Sequence, residues 1–429
     1  MLKIIKEKIS SGVGKDVVWT FTLQMAIMLC SFCINKILAS RLSIDDFGQY
    51  NIIKRSVQVI SLVMLAGVGI ALPRYIPRYR NSTPPQRIAP LLSAALIYII
   101  GVSAVVILAS VAFSDVVQHV IIGESDNLSL LLVALAYAFV LALAQYAFAY
   151  YRGTSQFKWY NGSQLAMQLL ITLPLLLLPV LTVGSVFISW MLITALLVGC
   201  LLGRETRRYV RQNGSFPFST HVKRHLVTIT KYASGRLVAD FFQFSLAAFP
   251  LIYISHAMGL QPTAYFSVGI TLVSMVTPLY AFMGIILLPY VSEAMARHRL
   301  AEARRYISRL TLFYIVTSLL ITALMYLLMR FLILIFFAEE YTVAADISRI
   351  MLLAILPQAL FLLYRNTIDA VSAIPYNAVT LGICFAAIAI GFHFCTTLTQ
   401  FAYVYVAVCC LQGLLSYATW QWLRVRSGD

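Results

Sequence analysis

Hydrophobic residues occur along this chain in runs of about 20 or more, separated by short polar connections. A helix needs about 20 apolar residues to cross the hydrocarbon of a bilayer. Windows of that length predict twelve transmembrane helices. They cover approximately residues 17–40, 49–72, 88–113, 128–151, 160–181, 184–203, 232–256, 263–289, 310–337, 346–368, 376–397 and 400–423. The pattern therefore predicts an all-α polytopic membrane protein.

The composition supports the same fold class. Hydrophobic residues make up 61% of the 429 residues and charged residues only 11%, against roughly 25% charged in an ordinary soluble domain. A soluble chain of this length could not bury so much apolar surface. The seven cysteines all lie in apolar runs. We therefore expect them to act as small hydrophobic residues, with no metal site.

The charges predict the orientation. The chain has 32 Lys and Arg against 16 Asp and Glu, a net charge of +16. If the N-terminus lies inside, 24 of the 32 basic residues fall in interior segments, with Arg365 at the inner end of the tenth span counted among them. An excess of Lys and Arg marks cytoplasmic loops. Both termini are therefore predicted to be cytoplasmic, and the basic balance indicates anionic lipid at the membrane surface, with no role for nucleic acid.

The longest and most basic interior connection follows the sixth span and contains Gly214 and Pro217. It predicts an N-terminal six-helix lobe at 1–203, a basic cytoplasmic linker at 204–231 and a C-terminal six-helix lobe at 232–429. The second spans of the two lobes end similarly, 69–74 with Pro73 and 285–290 with Pro289. Because six is an even number, both lobes enter the membrane in the same direction, as a parallel repeat. A transported substrate usually binds between such repeats.

Several charged residues lie inside the predicted spans. Each costs about 2.5 to 3.5 kcal/mol on insertion, so such residues usually face protein or a water-filled cavity. They are Lys36 on span one, Lys54 and Arg55 on span two, Lys231, Arg236 and Asp240 on span seven, and Arg330 on span nine. We predict a cationic, substrate-binding cavity formed by Lys54, Arg55, Arg236 and Lys36.

Asp240 follows Arg236 by one helical turn, so its carboxylate is a candidate for charge pairing or for ion coupling. A purely structural ion pair is the alternative. Lys231 is expected to reach the inner surface, and the same explanation at the outer surface stays open for Lys36 and Arg330.

Uncharged polar residues form a second pattern. Asn161, Gln164 and Gln168 share one stripe of span five and are predicted to line the cavity as a polar wall, with interhelical hydrogen bonding as the alternative. Ser43 and Asp46 have the spacing of a capping box and predict the start of the helix that forms span two.

The segment 39–50, Ala-Ser-Arg-Leu-Ser-Ile-Asp-Asp-Phe-Gly-Gln-Tyr, is followed by Gly-Val-Gly-Ile-Ala-Leu-Pro-Arg-Tyr at 67–75. These two segments resemble the start of the polysaccharide-biosynthesis flippases. That family comprises the Wzx-type O-antigen and capsule exporters of the multidrug/oligosaccharidyl-lipid/polysaccharide (MOP) superfamily. The resemblance implies a fold like that of the MATE and MOP flippases, with two parallel six-helix lobes.

The resemblance also implies a function. It implies a non-enzymatic flippase in the bacterial inner membrane that moves an undecaprenyl-pyrophosphate-linked oligosaccharide from the cytoplasmic to the periplasmic leaflet by alternating access. The product would serve O-antigen, capsule or exopolysaccharide synthesis, together with the polymerase and chain-length machinery of that pathway. No cofactor is expected, and a proton or sodium gradient acting through Asp240 is a possible coupling.

Two other classes stay open. A different secondary transporter, such as a multidrug exporter, has the same general composition, although the Gly-x-x-x-Asp-Arg pattern of the major facilitators does not follow the second span. A membrane glycosyltransferase or polymerase would handle similar lipids, with Asp45 and Asp46 as an acidic pair. The outer connections, none longer than about 15 residues, leave such an enzyme little room for a catalytic site.

Overall fold

A computed structural model of the chain describes residues 12–80, 88–122, 127–213, 222–296, 300–372 and 374–426. Within these ranges the side chains of some helical stretches, including 12–18, 230–236 and 282–296, lie outside the description. Every regular element in the described ranges is helical. The α-helices are α1 Gly12–Arg41, α2 Ile44–Leu65, α3 Val68–Arg80, α4 Ala89–Ala112, α5 Ser114–Ile122, α6 Leu128–Gly153, α7 Phe157–Leu177, α8 Val183–Asn213, α9 Val222–Met258, α10 Leu260–Ala296, α11 Leu300–Leu327, α12 Met329–Phe336, α13 Ala345–Met351, α14 Ile355–Val371, α15 Tyr376–His393 and α16 Leu398–Arg426, with 3₁₀ turns at Glu339–Ala344 and Leu352–Ala354.

Each of the twelve predicted spans falls on one of these helices or on a run of them. In the described residues, ten helices or helix runs are long and apolar enough to cross a membrane, and the pair α2 and α3 makes an eleventh if it is one broken span. The one predicted span that is missing from these candidates is the fifth, which corresponds to α7 and has 21 residues. Asparagine, serine and glutamine side chains lower its mean hydropathy, so it is not among the apolar candidates. The all-α membrane fold is thus confirmed.

The second predicted span is broken. Helices α2 and α3 meet at an angle of 40°, and the connecting residues Ala66 and Gly67 have φ values of 47° and 75°. Glycine adopts such values easily, whereas an L-residue such as Ala66 is strained there. The helix at the corresponding place in the second half, α10, continues without a break from Leu260 to Ala296. The two predicted repeats therefore differ in shape at their second spans.

The chain forms two compact units. The first comprises Met1–Leu42 and Ser56–Leu237, and the second comprises Ser43–Arg55 and Val238–Asp429. The first half of α2 thus belongs with the C-terminal helices, an assignment that the sequence did not predict.

Helix α8 continues to Asn213 and α9 begins at Val222, so much of the predicted 204–231 linker is helical.

Close packing explains why the start of α2 belongs to the second unit. A Cβ atom on Gly48 would collide with the backbone oxygen of Leu260, so only glycine lets α2 approach the start of α10 this closely. The buried ring of the preceding residue, Phe47, lies 5.2 Å from the ring of Tyr341 and 6.2 Å from that of Phe337. Aromatic pairs of this kind add about 0.5 to 1.5 kcal/mol each beyond the area they bury.

Candidate functional site

The capping box at the start of α2 fixes the position of the two adjacent cations of the predicted cavity. The backbone N–H of Asp46 donates to Ser43 Oγ at 3.1 Å, and the Ser43 hydroxyl donates to the Asp46 carboxylate at 2.8 Å. The predicted capping box is confirmed. It begins a helix whose next turn is anchored by the buried side chains of Tyr50 and Ile53.

Lys54 and Arg55 follow this anchor, and both are half-buried in the second unit. The ammonium of Lys54 lies 5.3 Å from the centre of the Tyr50 ring, within the range of a cation–π contact. Arg55 has Tyr50 and Tyr405 as its electrostatic neighbours. These tyrosine neighbours carry no negative charge that would neutralise the two cations.

Tyr405 also lines a polar cavity of about 170 Å³ inside the second unit, between α9, α10, α14 and α16. Its hydroxyl accepts a hydrogen bond from Gln358 Nε2 at 3.0 Å. Gln243 Oε1 and Gln412 Nε2 in the same cavity are buried and have no hydrogen-bond partner among the described residues. Buried polar atoms without a partner are costly. The cavity thus has polar atoms available for water or for a small polar ligand, and Tyr405 on its wall is an electrostatic neighbour of Arg55.

Asp240 on α9 forms an ion pair, and its partner is Arg365 on α14. Arg365 Nη2 lies 2.8 Å from Asp240 Oδ1, and the two side chains are 24% and 21% exposed. Arg365, which the sequence analysis counted with the interior segments, lies four residues before the end of a candidate span that covers Glu339–Asp369. The side chain of Arg365 reaches from α14 to the carboxylate of Asp240 on α9. The side chain of Arg236, which the sequence suggested as a neighbour of Asp240, lies outside the described residues.

Asn377 at the start of α15 supports this pair. Its Nδ2 donates to the backbone oxygen of Arg365 at 3.1 Å and to Asp369 Oδ1 at 2.9 Å. The amide thus ties α15 to the end of α14, which carries the guanidinium. A second acidic group, Asp369, therefore lies one turn from Arg365. It was not predicted as a site residue, because it stands at the very end of an apolar run, where a charged residue is common.

Lys36 does not belong to the same unit as Lys54, Arg55 and Asp240. It is half-buried near the end of α1, in the first unit. Lys231, like Arg236, has a side chain outside the described residues, and Arg330 is exposed on α12. The second unit therefore contains Lys54, Arg55, the polar cavity and the Asp240 pair. Membership of Lys36 and Arg236 in one cationic cavity with them stays a prediction.

The polar stripe on α7 contacts α1 inside the first unit. Asn161 Nδ2 donates to Thr20 Oγ1 at 2.9 Å, Gln24 Nε2 donates to Gln164 Oε1 at 2.9 Å, and Gln168 Nε2 donates to Ser31 Oγ at 3.0 Å. Three hydrogen bonds in register join the two helices along about two turns of α7. These contacts favour the interhelical interpretation of the stripe, and the polar cavity wall stays a prediction.

Comparison with known proteins places these features in a family. The family described as "Polysaccharide biosynthesis protein" matches residues 13–295, more than half of the chain. None of the curated proteins matches the chain significantly.

The chain is also similar to solved transporter structures. One is a multidrug resistance MATE family transporter of the MOP superfamily in an inward-facing conformation, with 12% identity, a TM-score of 0.72 and coverage of 95% of this chain and 94% of that one. Another is the lipid II flippase MurJ in an inward closed conformation, with 11% identity, a TM-score of 0.72 and coverage of 94% and 87%. A third is a variant of the Vibrio cholerae MATE transporter VcmN, with 13% identity, a TM-score of 0.65 and coverage of 96% and 97%. At these identities the likeness shows a common fold.

Proposed function

Because the chain belongs to the polysaccharide biosynthesis protein family and has the MOP-superfamily fold, we propose that it is a flippase for a lipid-linked oligosaccharide. The proposed substrate is an undecaprenyl-pyrophosphate-linked glycan repeat unit, moved from the cytoplasmic to the periplasmic leaflet of a bacterial inner membrane for O-antigen, capsule or exopolysaccharide synthesis. The two termini are proposed to be cytoplasmic. The family match over residues 13–295 is the observation that carries the proposal.

The cationic pair on α2 supports this substrate class. A pyrophosphate that leaves water for the membrane interior needs positive charge and hydrogen-bond donors, and a guanidinium offers both in a bidentate geometry. Lys54 and Arg55 supply such groups at a half-buried position, and Tyr405, an electrostatic neighbour of Arg55, lines the polar cavity. We propose that Arg55 and Lys54 contact the pyrophosphate, with Arg236 and Lys36 as further cationic contacts. The prenyl chain can stay in lipid.

The cavity in the second unit has room for several water molecules and is far too small for an oligosaccharide. We therefore do not assign the sugars to it. Water held by Gln243, Gln358 and Gln412 would instead keep the guanidinium of Arg55 partly hydrated between transport cycles, which lowers the cost of a buried cation. Transport in this proposal makes and breaks no covalent bond and needs no cofactor. The polymerase and chain-length proteins of the pathway would act on the product.

Substitution of Arg55 tests the assignment of the cation. Arg55→Ala is expected to reduce glycan export strongly, on the order of tenfold or more, because removal of one charge-assisted contact costs about 1.5 to 3 kcal/mol. Export is measured as surface polysaccharide in a strain that lacks the chromosomal copy. The matched control is Arg330→Ala, which removes the same side chain from an exposed position and should leave export within about twofold of normal. Equal, small effects of both substitutions at equal protein levels would contradict the assignment.

We further propose that Asp240 couples transport to a proton or sodium gradient. Its carboxylate contacts Arg365 at 2.8 Å, so a coupling ion would act by competing with this guanidinium for the carboxylate. Asp240→Asn keeps the shape of the side chain and removes its charge. Export by this variant is expected to lose its dependence on pH and on sodium concentration. An unchanged dependence on both would show that Asp240 is a structural partner of Arg365 only.

A further inference from the structure

A groove runs along the outer face of the C-terminal half of α8, within the first unit. It has a volume of about 900 Å³ and is lined by residues of α8 at helical spacing. They are Ala195, Leu196, Gly199, Cys200, Gly203, Arg204, Arg207, Arg208 and Arg211. The groove thus begins among small and apolar residues and ends among four arginines. The proposed transport pathway does not involve this surface.

The apolar end of the groove is open. Leu196 is 70% exposed, and Leu192 one turn earlier is 58% exposed. A Cβ atom added at Gly199 or Gly203 would find no atom of the described structure within 4 Å. The two glycines lie on one face because they are four residues apart. The absence of side chains at these two positions leaves a shallow channel about one turn long.

The basic end is ordered by contacts with α6 and α7. The guanidinium carbon of Arg204 lies 3.4 Å from the centre of the Trp159 ring, a close cation–π contact. The Nη1 atom of Arg204 is nevertheless buried and has no hydrogen-bond partner among the described residues. A buried donor without a partner is costly, so an acceptor oxygen that reached Arg204 Nη1 would be stabilised there.

The nearest carboxylate along α8 does not neutralise these arginines. Glu205 lines a different cavity, where it accepts hydrogen bonds from the hydroxyl groups of Tyr150 and Tyr151 at 3.2 and 3.3 Å. The lining of the groove contains no acidic residue in the part of the chain that the structure describes. The groove therefore combines an apolar channel with an uncompensated positive end.

We propose that this groove binds an anionic membrane phospholipid. The phosphate lies against Arg204, Arg207, Arg208 and Arg211, and one acyl chain lies along Leu196, Gly199 and Gly203. The charge complementarity argues for a lipid phosphate, since arginine pairs with phosphate in a bidentate geometry. Basic pockets at the ends of transmembrane helices bind anionic headgroups for this reason. The apolar channel in line with the arginines argues for a phospholipid over a soluble phosphate.

Trp159 gives this site its own reporter, because its ring is stacked under Arg204 and is 45% exposed. The full chain is placed in nanodiscs of phosphatidylcholine that contain increasing fractions of brominated phosphatidylglycerol, and tryptophan emission is recorded. The contribution of Trp159 is the difference between the chain and its Trp159→Phe variant. We expect this contribution to be quenched at a low fraction of the brominated anionic lipid, and not by the same fraction of brominated phosphatidylcholine. Glycerol phosphate in solution should not compete.

Two paired variants complete the test. The double variant Arg207→Gln and Arg208→Gln should raise the fraction of anionic lipid needed for half-quenching about 30-fold, because each basic residue near a charged surface contributes about 1 kcal/mol. The matched control is Arg305→Gln with Arg309→Gln, which removes two exposed arginines from α11 and should leave the quenching curve unchanged. Equal quenching by both brominated lipids, or equal shifts in both paired variants, would overturn the proposal.

A second copy of the chain is the competing occupant, because two glycines four residues apart also form helix–helix contacts in membranes. Cys200 lies in the groove and is exposed. If a second copy covered the groove, Cys200 would form an efficient disulfide with its equivalent in oxidised membranes, and that result would also overturn the lipid assignment. Absence of this crosslink together with selective quenching supports it.

Discussion

At the scale of single residues, the ion pair between Asp240 and Arg365 is the most specific feature of the second unit. The sequence identified Asp240 because a carboxylate in an apolar run stands out. It did not identify Arg365 as the partner, because 125 positions separate the two residues and only the tertiary fold brings them together. The three glutamines of the polar cavity were missed for a related reason. Each is a single polar residue on a different helix.

A double-mutant cycle tests this pair. Arg365→Gln leaves the carboxylate of Asp240 partly buried without its cation. Loss of one partner from a fully buried pair costs about 3 to 5 kcal/mol. Each side chain is more than one fifth exposed to solvent, so solvent screening reduces the expected loss to about 1 to 3 kcal/mol. Adding Asp240→Asn should recover part of it. Unfolding in detergent measures the four free energies, and strictly additive effects would contradict a coupled pair.

At the scale of elements, α2 is the helix whose start and surroundings are best explained. The capping box at Ser43 and Asp46 could be predicted because it is a local pattern of two side chains. The break at Ala66 and the packing of Gly48 on Leu260 could not, because both depend on neighbours distant in sequence. The lengths of α8 and α9 were also missed, since the basic residues assigned to a linker continue the helices beyond the apolar runs.

The contact between α2 and α10 can be tested at Gly48. Gly48→Ala places a methyl group against the backbone oxygen of Leu260, which cannot move as a side chain can. Such overpacking is expected to cost about 1 to 3 kcal/mol of the free energy of unfolding. Gly162→Ala on α7 is the matched control, because a Cβ atom there meets nothing within 4 Å of the described structure. The control should be neutral or stabilising by up to about 1 kcal/mol. Equal melting temperatures for the two variants would contradict the close contact.

At the scale of the whole molecule, hydropathy alone was enough to predict a multi-pass helical membrane protein, because runs of about 20 apolar residues have few other uses. The resemblance carried by residues 39–50 and 67–75 led to the family that the comparison confirms. The units were harder to predict, since the first half of α2 belongs with the C-terminal helices. The hydropathy pattern shows where helices lie along the chain. It does not show the tertiary contacts that place part of a helix in one unit or the other.

The central claim is that this chain moves a lipid-linked glycan across the membrane, and the sidedness of that lipid tests it most directly. Cells with and without the chain are labelled with a radioactive sugar, and the prenyl-linked repeat unit is divided into a fraction accessible from the periplasm and a protected fraction. Without the chain, we expect unpolymerised repeat unit to accumulate in the protected fraction, with restoration by the intact chain. Normal surface glycan with no protected intermediate would contradict the claim.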